Sequence, residues 1–369
     1  MKVAQILYSG LGGHGSVVFS LIGGDTDGRW ENALGFLGVE PLLPEYRGRC
    51  DRLGIRHRYF QAREGRPWSQ WRALASWLDA ERPDAILNHS GTALIPCMLY
   101  AYKARVPHVF VEHTPIAVKR RSEWLFSRLA MRYSDAVVLL TSDYSGMLQE
   151  RLGASYRPEK VSVIPNGINL RTFAPVPEGG ARGLEAVVIG MAGRFSKAKR
   201  QDFLIDVLTE LQCRSRLRWI LRLAGEGDER PHNEEIASRR GLGAVHFDGL
   251  LQETELAEWF RSLNIYVHAS EGETLSTSIL QAMATALPVV ASNVTGIRDL
   301  LMAEYGVLAQ NGDVTGWAEA LCMLADKPVL ARQLGSRGRA RVQELHSDLR
   351  MHIEYDRLLR REIGRLRGS

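Results

Sequence analysis

The chain has 369 residues, 45% hydrophobic and 24% charged, with 35 glycines. That length exceeds one ordinary core and predicts two domains, while the lack of any run of 18 or more apolar residues excludes a membrane-spanning helix. A net charge of +5 fits an ordinary solvated basic surface and equally a phosphorylated ligand, an anionic lipid surface or nucleic acid.

The opening MKVAQILYSGLGG has too short an apolar run for a secretory leader and reads as a strand and its turn. In the first half, apolar runs at 3–9, 33–39, 85–90, 108–113, 136–141 and 161–167 predict strands. Stretches between them, such as WSQWRALASWLDAERP, read as helices that stop at proline. The Pro/Gly-rich segment 174–183 interrupts the pattern, and strands resume at 186–193, 219–225, 244–249, 265–270 and 287–292. Apolar strands alternating with helices predict an α/β fold of two doubly wound, Rossmann-like parallel-sheet domains. The expected division is an N-terminal domain over 1–172, a C-terminal domain over 173–345, and a helical segment over 346–369 that returns to the N-terminal domain. Ligands of such sheets bind beyond the C-terminal strand ends, and two domains facing one another would set those loops across a cleft. Cys50, Cys97, Cys213 and Cys322 lack CxxC spacing and read as thiols of a reducing cytoplasm.

Three loops carry the chemistry. Gly10-Leu11-Gly12-Gly13-His14-Gly15 satisfies GxGxxG after the first strand, with Glu40 spaced to meet a ribose; a nicotinamide dinucleotide and a plain tight turn both fit. Arg194, Lys197 and Lys199 stand after a strand at a helix start, where cations and backbone N–H groups favour phosphate, although a solvated basic turn has the same composition. The third loop opens SEGETLSTSILQAMATALPVVAS (270–292). There Ile279, Ala282, Met283 and Ala286 recur at helical spacing and read as core, Ser276 or Thr277 as the N-cap, and Glu273 as an acceptor for hydroxyls. A phosphate held by amides beside a carboxylate suits a sugar nucleotide better than a nicotinamide dinucleotide. Asp25-Thr26-Asp27 matches the metal-binding DxD pattern but follows a helix pattern, not an apolar strand, so no metal is expected.

These residues resemble the GT-B retaining glycosyltransferases of glycosyltransferase family four, the group 1 glycosyltransferases. The likeness runs from about Val109 to Asp313 through IPNGIN (164–169), GRFSKAKRQDFLI (193–205), LAGEGDE (223–229), VHFDGLL (245–251) and TGIRDLL…GVLAQNGD (295–313). It also takes in 270–292, where the family carries two glutamates separated by seven residues. The resemblance implies transfer of a sugar from a nucleotide-diphosphate donor, a UDP-sugar by family frequency, to an acceptor hydroxyl with retention. Surface polysaccharide or glycolipid assembly is the implied setting, with neither metal nor other cofactor.

By the same resemblance, His113 lies beside the reacting sugar, Arg194 and Lys199 face the leaving diphosphate, and Glu273 meets sugar hydroxyls. Leu275, Ser276 and Thr277 bring backbone amides to the donor, Gly12 and Gly13 close over its diphosphate, Leu250 and Leu251 pack its base, and Asn166 shapes the interdomain segment. His14 and Gly15 are placed at the acceptor. Gln281 departs from the pattern: it stands where the second glutamate belongs, offering a ribose one acceptor atom in place of two. Residues 25–66 match poorly, on the side where acceptors bind.

The expected partners are a nucleotide sugar and a glycan or lipid-linked acceptor. Basic clusters at 47–58, 119–121 and 357–367 add an anionic surface, the inner face of the cytoplasmic membrane, as a peripheral contact. No zinc-finger, RNA-binding or basic-zipper pattern occurs, so nucleic acid is not expected. Two other classes stay open: an NAD-dependent oxidoreductase built on the GxGxxG turn, and a sugar-nucleotide-binding protein without transfer.

Overall fold

A computed structural model of the chain describes residues 1–10, 13–116, 119–176 and 186–368. The chain divides into two units, Met1–Gly167 with Asp348–Ser369, and Ile168–Ser347.

The N-terminal unit is built on seven strands: β1 (Lys2–Leu7), β2 (Glu31–Gly38), β3 (Arg56–Gln61), β4 (Ala85–Asn88), β5 (His108–Val111), β6 (Ala136–Leu139) and β7 (Val161–Val163). They lie parallel in the order β3-β2-β1-β4-β5-β6-β7, with Ala4 of β1 opposite Ala33 of β2 and Ile86 of β4. β4, β5 and β6 are buried at every residue, which is why they spell as short apolar runs. β3 is the exception: RHRYFQ alternates exposed and covered residues at the sheet edge and reads in sequence as part of a basic run. There Arg56 is paired with Glu31 and lies 3.3 Å from Glu81, charges that suit an edge strand.

The C-terminal unit repeats the plan with β8 (Val187–Ala192), β9 (Trp219–Ala224), β10 (Val245–Gly249), β11 (Ile265–His268), β12 (Val289–Ser292) and β13 (Val307–Ala309), ordered β10-β9-β8-β11-β12-β13. Its core is aromatic and aliphatic, with Trp219 and Trp317 buried and Phe203 edge-on to Trp317 at 5.5 Å. In each sheet the strand order reverses once, between β1 and β4 and between β8 and β11. At such reversals the loops at the C-terminal strand ends splay apart and leave a ligand crevice.

The boundary falls at Gly167/Ile168, ahead of the Pro/Gly-rich segment that composition suggested. Phe173 is the reason: its ring packs edge-on against Phe260 at 6.0 Å and draws residues 168–173 into the C-terminal unit. Much of the Pro/Gly segment, 177–183, lies outside the described residues. The last helix, Asp348–Gly368, belongs to the N-terminal unit, where Asp356 accepts from Trp30 Nε1 at 2.8 Å and Arg365 reaches Asp135 at 3.0 Å. The same docking explains Asp25. Its carboxylate accepts the backbone N–H groups of Arg29 (2.9 Å) and Trp30 (2.8 Å), with His352 Nε2 3.3 Å away, so it closes a turn. Among the described residues no cluster of three metal-ligating side chains occurs.

Candidate functional site

In the C-terminal unit the loops after β8 and β11 meet at the crevice. Glu271 N–H and Ser270 Oγ both donate to the Ala198 carbonyl, at 2.8 and 3.2 Å, which fixes one loop against the other. Two glycine-dependent contacts brace them from behind. A Cβ on Gly227 (φ +151°) would lie 2.2 Å from the Phe195 carbonyl oxygen, and one on Gly296 (φ +81°) 2.1 Å from that of Glu273. The LAGEGDE and TGIRD matches are therefore supports for the two loops, where only glycine permits the approach.

Between the loops Lys199 Nζ is ion-paired with Glu273 Oε1, with 24% and 11% of the side chains exposed. The same oxygen lies 2.7 Å from His268 Nε2, and His268 Nδ1 lies 3.1 Å from the Tyr266 hydroxyl. Burial would push the Glu273 carboxyl up, but Lys199 and then His268 outweigh it and bring it to about 2. His268 is lowered by burial, against the raising influence of Glu273. The array is thus a neutral imidazole donating to an ionised carboxylate that a lysine also holds. His268 and Tyr266 were not singled out in the sequence; a histidine inside an otherwise apolar strand run, IYVHAS, is the signal that marked them.

The helix Thr277–Ala284 starts beside Glu273, with Ser276 as its N-cap accepting from Ile279 N–H at 3.4 Å. Ser276 is buried and its hydroxyl caps the helix, so what this turn offers a ligand is backbone N–H. Leu275 is also buried, and its side chain serves the core. Gln281 is only 5% exposed, yet among the described residues its amide has no hydrogen-bond partner. Leu250 is 44% exposed on the loop after β10, with Leu251 partly covered beside it. Arg194 stands on the β8 loop, its carbonyl tied to Gln201 Nε2 at 3.1 Å.

The N-terminal unit gathers a second polar cluster at its own reversal. Neighbouring β1, β4 and β5 bring Gln5, His89 and His113 together. Gln5 Nε2 donates to Asn32 Oδ1 at 2.8 Å, so its Oε1, 3.3 Å from His89 Nε2, is the acceptor for that ring. His89 Nδ1 must then accept from His113 Nε2 at 3.0 Å, and His113 presents Nδ1 as its acceptor nitrogen. Burial lowers all three of His14, His89 and His113, the last to about 3, with neighbouring imidazoles adding to the effect at His89 and His113. His14 donates through Nε2 to the Tyr8 carbonyl at 3.2 Å, its ring 6.3 Å from that of His113. Gly13 opens the first helix, Gly13–Gly23, while Gly12 lies outside the described residues. Gly15 is buried, and a Cβ there would meet the Tyr46 hydroxyl at 2.1 Å; this glycine makes room for the tyrosine. Behind His113, the buried ion pair of Glu112 and Lys119, joined by Ser127 Oγ at 2.8 Å from Glu112 Oε2, secures the loop.

Comparison with known proteins identifies both halves of the chain. Residues 12–172 match the family described as Glycosyltransferase Family 4, and residues 186–327 that described as Glycosyl transferases group 1. A D-inositol 3-phosphate glycosyltransferase of Stackebrandtia nassauensis is 32% identical over 274 residues, covering 70% of this chain and 59% of that protein. The chain spans 59% to 64% of the length of the first such relatives. Among solved structures, Anabaena HepE in complex with UDP and glucose has a TM-score of 0.81 at 20% identity, over 97% of this chain and 99% of that one. A sucrose-phosphate synthase from Thermosynechococcus elongatus has 0.80 at 20% identity, over 98% of each. These structural likenesses show the expected GT-B fold. With both halves matched, the chain belongs to glycosyltransferase family 4, the group 1 glycosyl transferases.

Proposed function

We propose that the chain transfers a sugar from a UDP-sugar to an acceptor hydroxyl with retention at the anomeric carbon, without a metal. The observation that carries this reading is Glu273, a carboxylate kept ionised between Lys199 and His268 at the start of the helix Thr277–Ala284. Its remaining lone pairs suit sugar hydroxyls. Lys199, Arg194 and the helix N–H groups suit the diphosphate, the charge compensation a divalent ion otherwise supplies. His113, a neutral imidazole 3.0 Å from His89, is set by the family resemblance beside the reacting sugar. In the reaction the anomeric carbon–oxygen bond to the diphosphate breaks and a bond to the acceptor oxygen forms on the same face. The acceptor's proton passes to the departing phosphate oxygen, so no side chain serves as nucleophile. The choice of UDP is supported by the HepE complex with UDP and glucose. A glycan or lipid-linked acceptor of surface polysaccharide or glycolipid assembly, met at the inner membrane face, is the proposed context.

A thermal-shift panel of UDP, GDP, ADP, NAD and their sugar conjugates, with and without Mg²⁺, tests the reading. UDP or a UDP-sugar at 100 times its Kd should stabilise by about 2.7 kcal/mol and raise Tm by several degrees, equally in EDTA. A response to NAD with none to UDP would replace the proposal with an oxidoreductase. UDP binding with neither donor hydrolysis nor transfer would leave a nucleotide-binding protein.

Gln281→Glu offers a finer check. The amide is buried and unpartnered among the described residues, and the resemblance sets it at the donor's ribose. A carboxylate would accept from both ribose hydroxyls, so donor KM should fall about tenfold, the worth of one charge-assisted hydrogen bond. kcat should stay within about twofold. A change in kcat larger than that in KM would remove Gln281 from the ribose.

A further inference from the structure

Each of the three basic clusters has part of its charge compensated within the protein, the middle one through Lys119, which is paired with Glu112. In the first and third, Arg56 pairs with Glu31, Arg360 with Asp356 and Arg365 with Asp135. The middle cluster leads into the helix Arg121–Tyr133, where Arg121, Trp124 and Arg128 share one face. With Arg151, from the last turn of the helix Ser142–Leu152, they line a pocket of about 430 Å³. None of the three arginines has an ion pair or hydrogen bond among the described residues; Arg151 rests on the Trp124 ring, 5.4 Å from its centroid. The nearby acid is spoken for, because Glu123 accepts the Arg120 N–H at 2.6 Å and caps the helix.

We propose that this pocket is a second anion site, built for a phosphate group borne on a larger molecule. Three guanidinium forks with no acid among them supply donors and no acceptor. Phosphate oxygens match those forks bidentately, and a phosphate monoester's charge of nearly two compensates them better than a carboxylate's single charge. The volume is that of a small-ligand pocket, far above a bare ion's need. Trp124 sets the guanidinium of Arg151 by cation–π contact, and Lys119 lies 5.2 Å from the centre of the same ring. Lys119 also holds Glu112, the residue before His113. The pocket and the histidine cluster therefore share one framework, which suits a site that holds the phosphate of an acceptor or of the lipid surface where the acceptor resides.

The test uses the full chain carrying Arg194→Ala and Lys199→Ala, which removes the cations of the other anion site. The result is thereby independent of whether UDP binds there. Into this background go Arg121→Gln/Arg128→Gln/Arg151→Gln, or a charge-matched control of exposed arginines, Arg216→Gln/Arg332→Gln/Arg337→Gln. Calorimetric titration with inorganic phosphate and glycerol 3-phosphate forms one arm, and flotation with phosphatidylglycerol against phosphatidylcholine vesicles the other. The pocket triple should weaken binding at least about tenfold while the control does not. Loss in the soluble arm assigns the pocket to a phosphorylated small molecule; loss confined to phosphatidylglycerol vesicles assigns it to a lipid headgroup. Equal binding by pocket triple and parent in both arms, or equal loss in the control, would overturn the site.

Discussion

Lys199→Met is expected to lower kcat by about 10²–10³-fold while the chain stays folded, the usual cost of losing one preorganised charge at a developing oxyanion. The geometry makes the experiment more discriminating than an ordinary deletion. Lys199 has two employments in the proposed reaction: it would face the leaving diphosphate, and it is the counter-ion of Glu273. The single variant leaves a carboxylate that is 11% exposed with His268 as its one remaining side-chain partner among the described residues. Full burial would make that cost 3–5 kcal/mol; with Lys199 a quarter exposed, about 2 kcal/mol is expected in urea unfolding of the C-terminal unit. Glu273→Gln added to Lys199→Met should recover most of the stability, because no charge is then stranded. Turnover should not recover with it. Restored turnover in the double variant would show that Lys199 merely neutralises Glu273. Near-normal turnover in both Lys199→Met and Arg194→Ala would remove the cationic loop from the mechanism altogether.

What sequence could and could not reveal follows the same physical division. Strands buried on both faces, such as AVVL and VVAS, are legible because a parallel sheet between helices needs apolar residues at every position. β3 was hidden because an edge strand faces water and carries charge. The two loops that meet were legible at Lys199 and Glu273, where spacing within a single segment carries the information. Their supporting partners were not. His268 serves Glu273 from five residues away, but Tyr266 reaches the Ala192 backbone across the sheet, with its hydroxyl 3.3 Å from that carbonyl. Gln5 meets His89, a separation of 84 residues, only because β4 adjoins β1. Strand order is what joins such residues, and no local pattern encodes it. A polar residue inside an apolar strand run marks one half of the contact and is silent about the other.

Acidification supplies the second large effect, and its sign follows from the buried histidines. His108 is fully enclosed and His113 mostly covered, and burial lowers each to about 3 from the model-peptide value of 6.5. His108 has Ser134 Oγ at 3.1 Å from Nδ1, while its buried Nε2 has no partner among the described residues to stabilise a second proton. Between about pH 6.5 and 3 the unfolded chain therefore binds protons that the native chain refuses. Stability is complete above that window and declines as pH falls through it. Each histidine costs about 1.4 kcal/mol per pH unit, so at pH 5 this pair removes roughly 4 kcal/mol, a large share of an ordinary domain's 5–15 kcal/mol. His14 and His89 are lowered by burial as well and act in the same direction. All four belong to the N-terminal unit; the C-terminal unit has His268 as its lowered histidine among the described residues, and the Glu273 carboxyl, at about 2, begins to matter only below the ordinary carboxylate range. Peptide-resolved hydrogen exchange at pH 7 and pH 5, corrected for intrinsic rates, should show protection collapsing first in β1, β4, β5 and β6. His108→Asn, whose amide can replace the Nδ1 contact, should flatten the pH dependence of that unit by about one proton. An N-terminal unit equally stable at pH 7 and 5, or a C-terminal unit that opens first, would mean that the histidine cluster takes up protons without unfolding, and the neutral His113 assigned to the sugar would have to be given up with it.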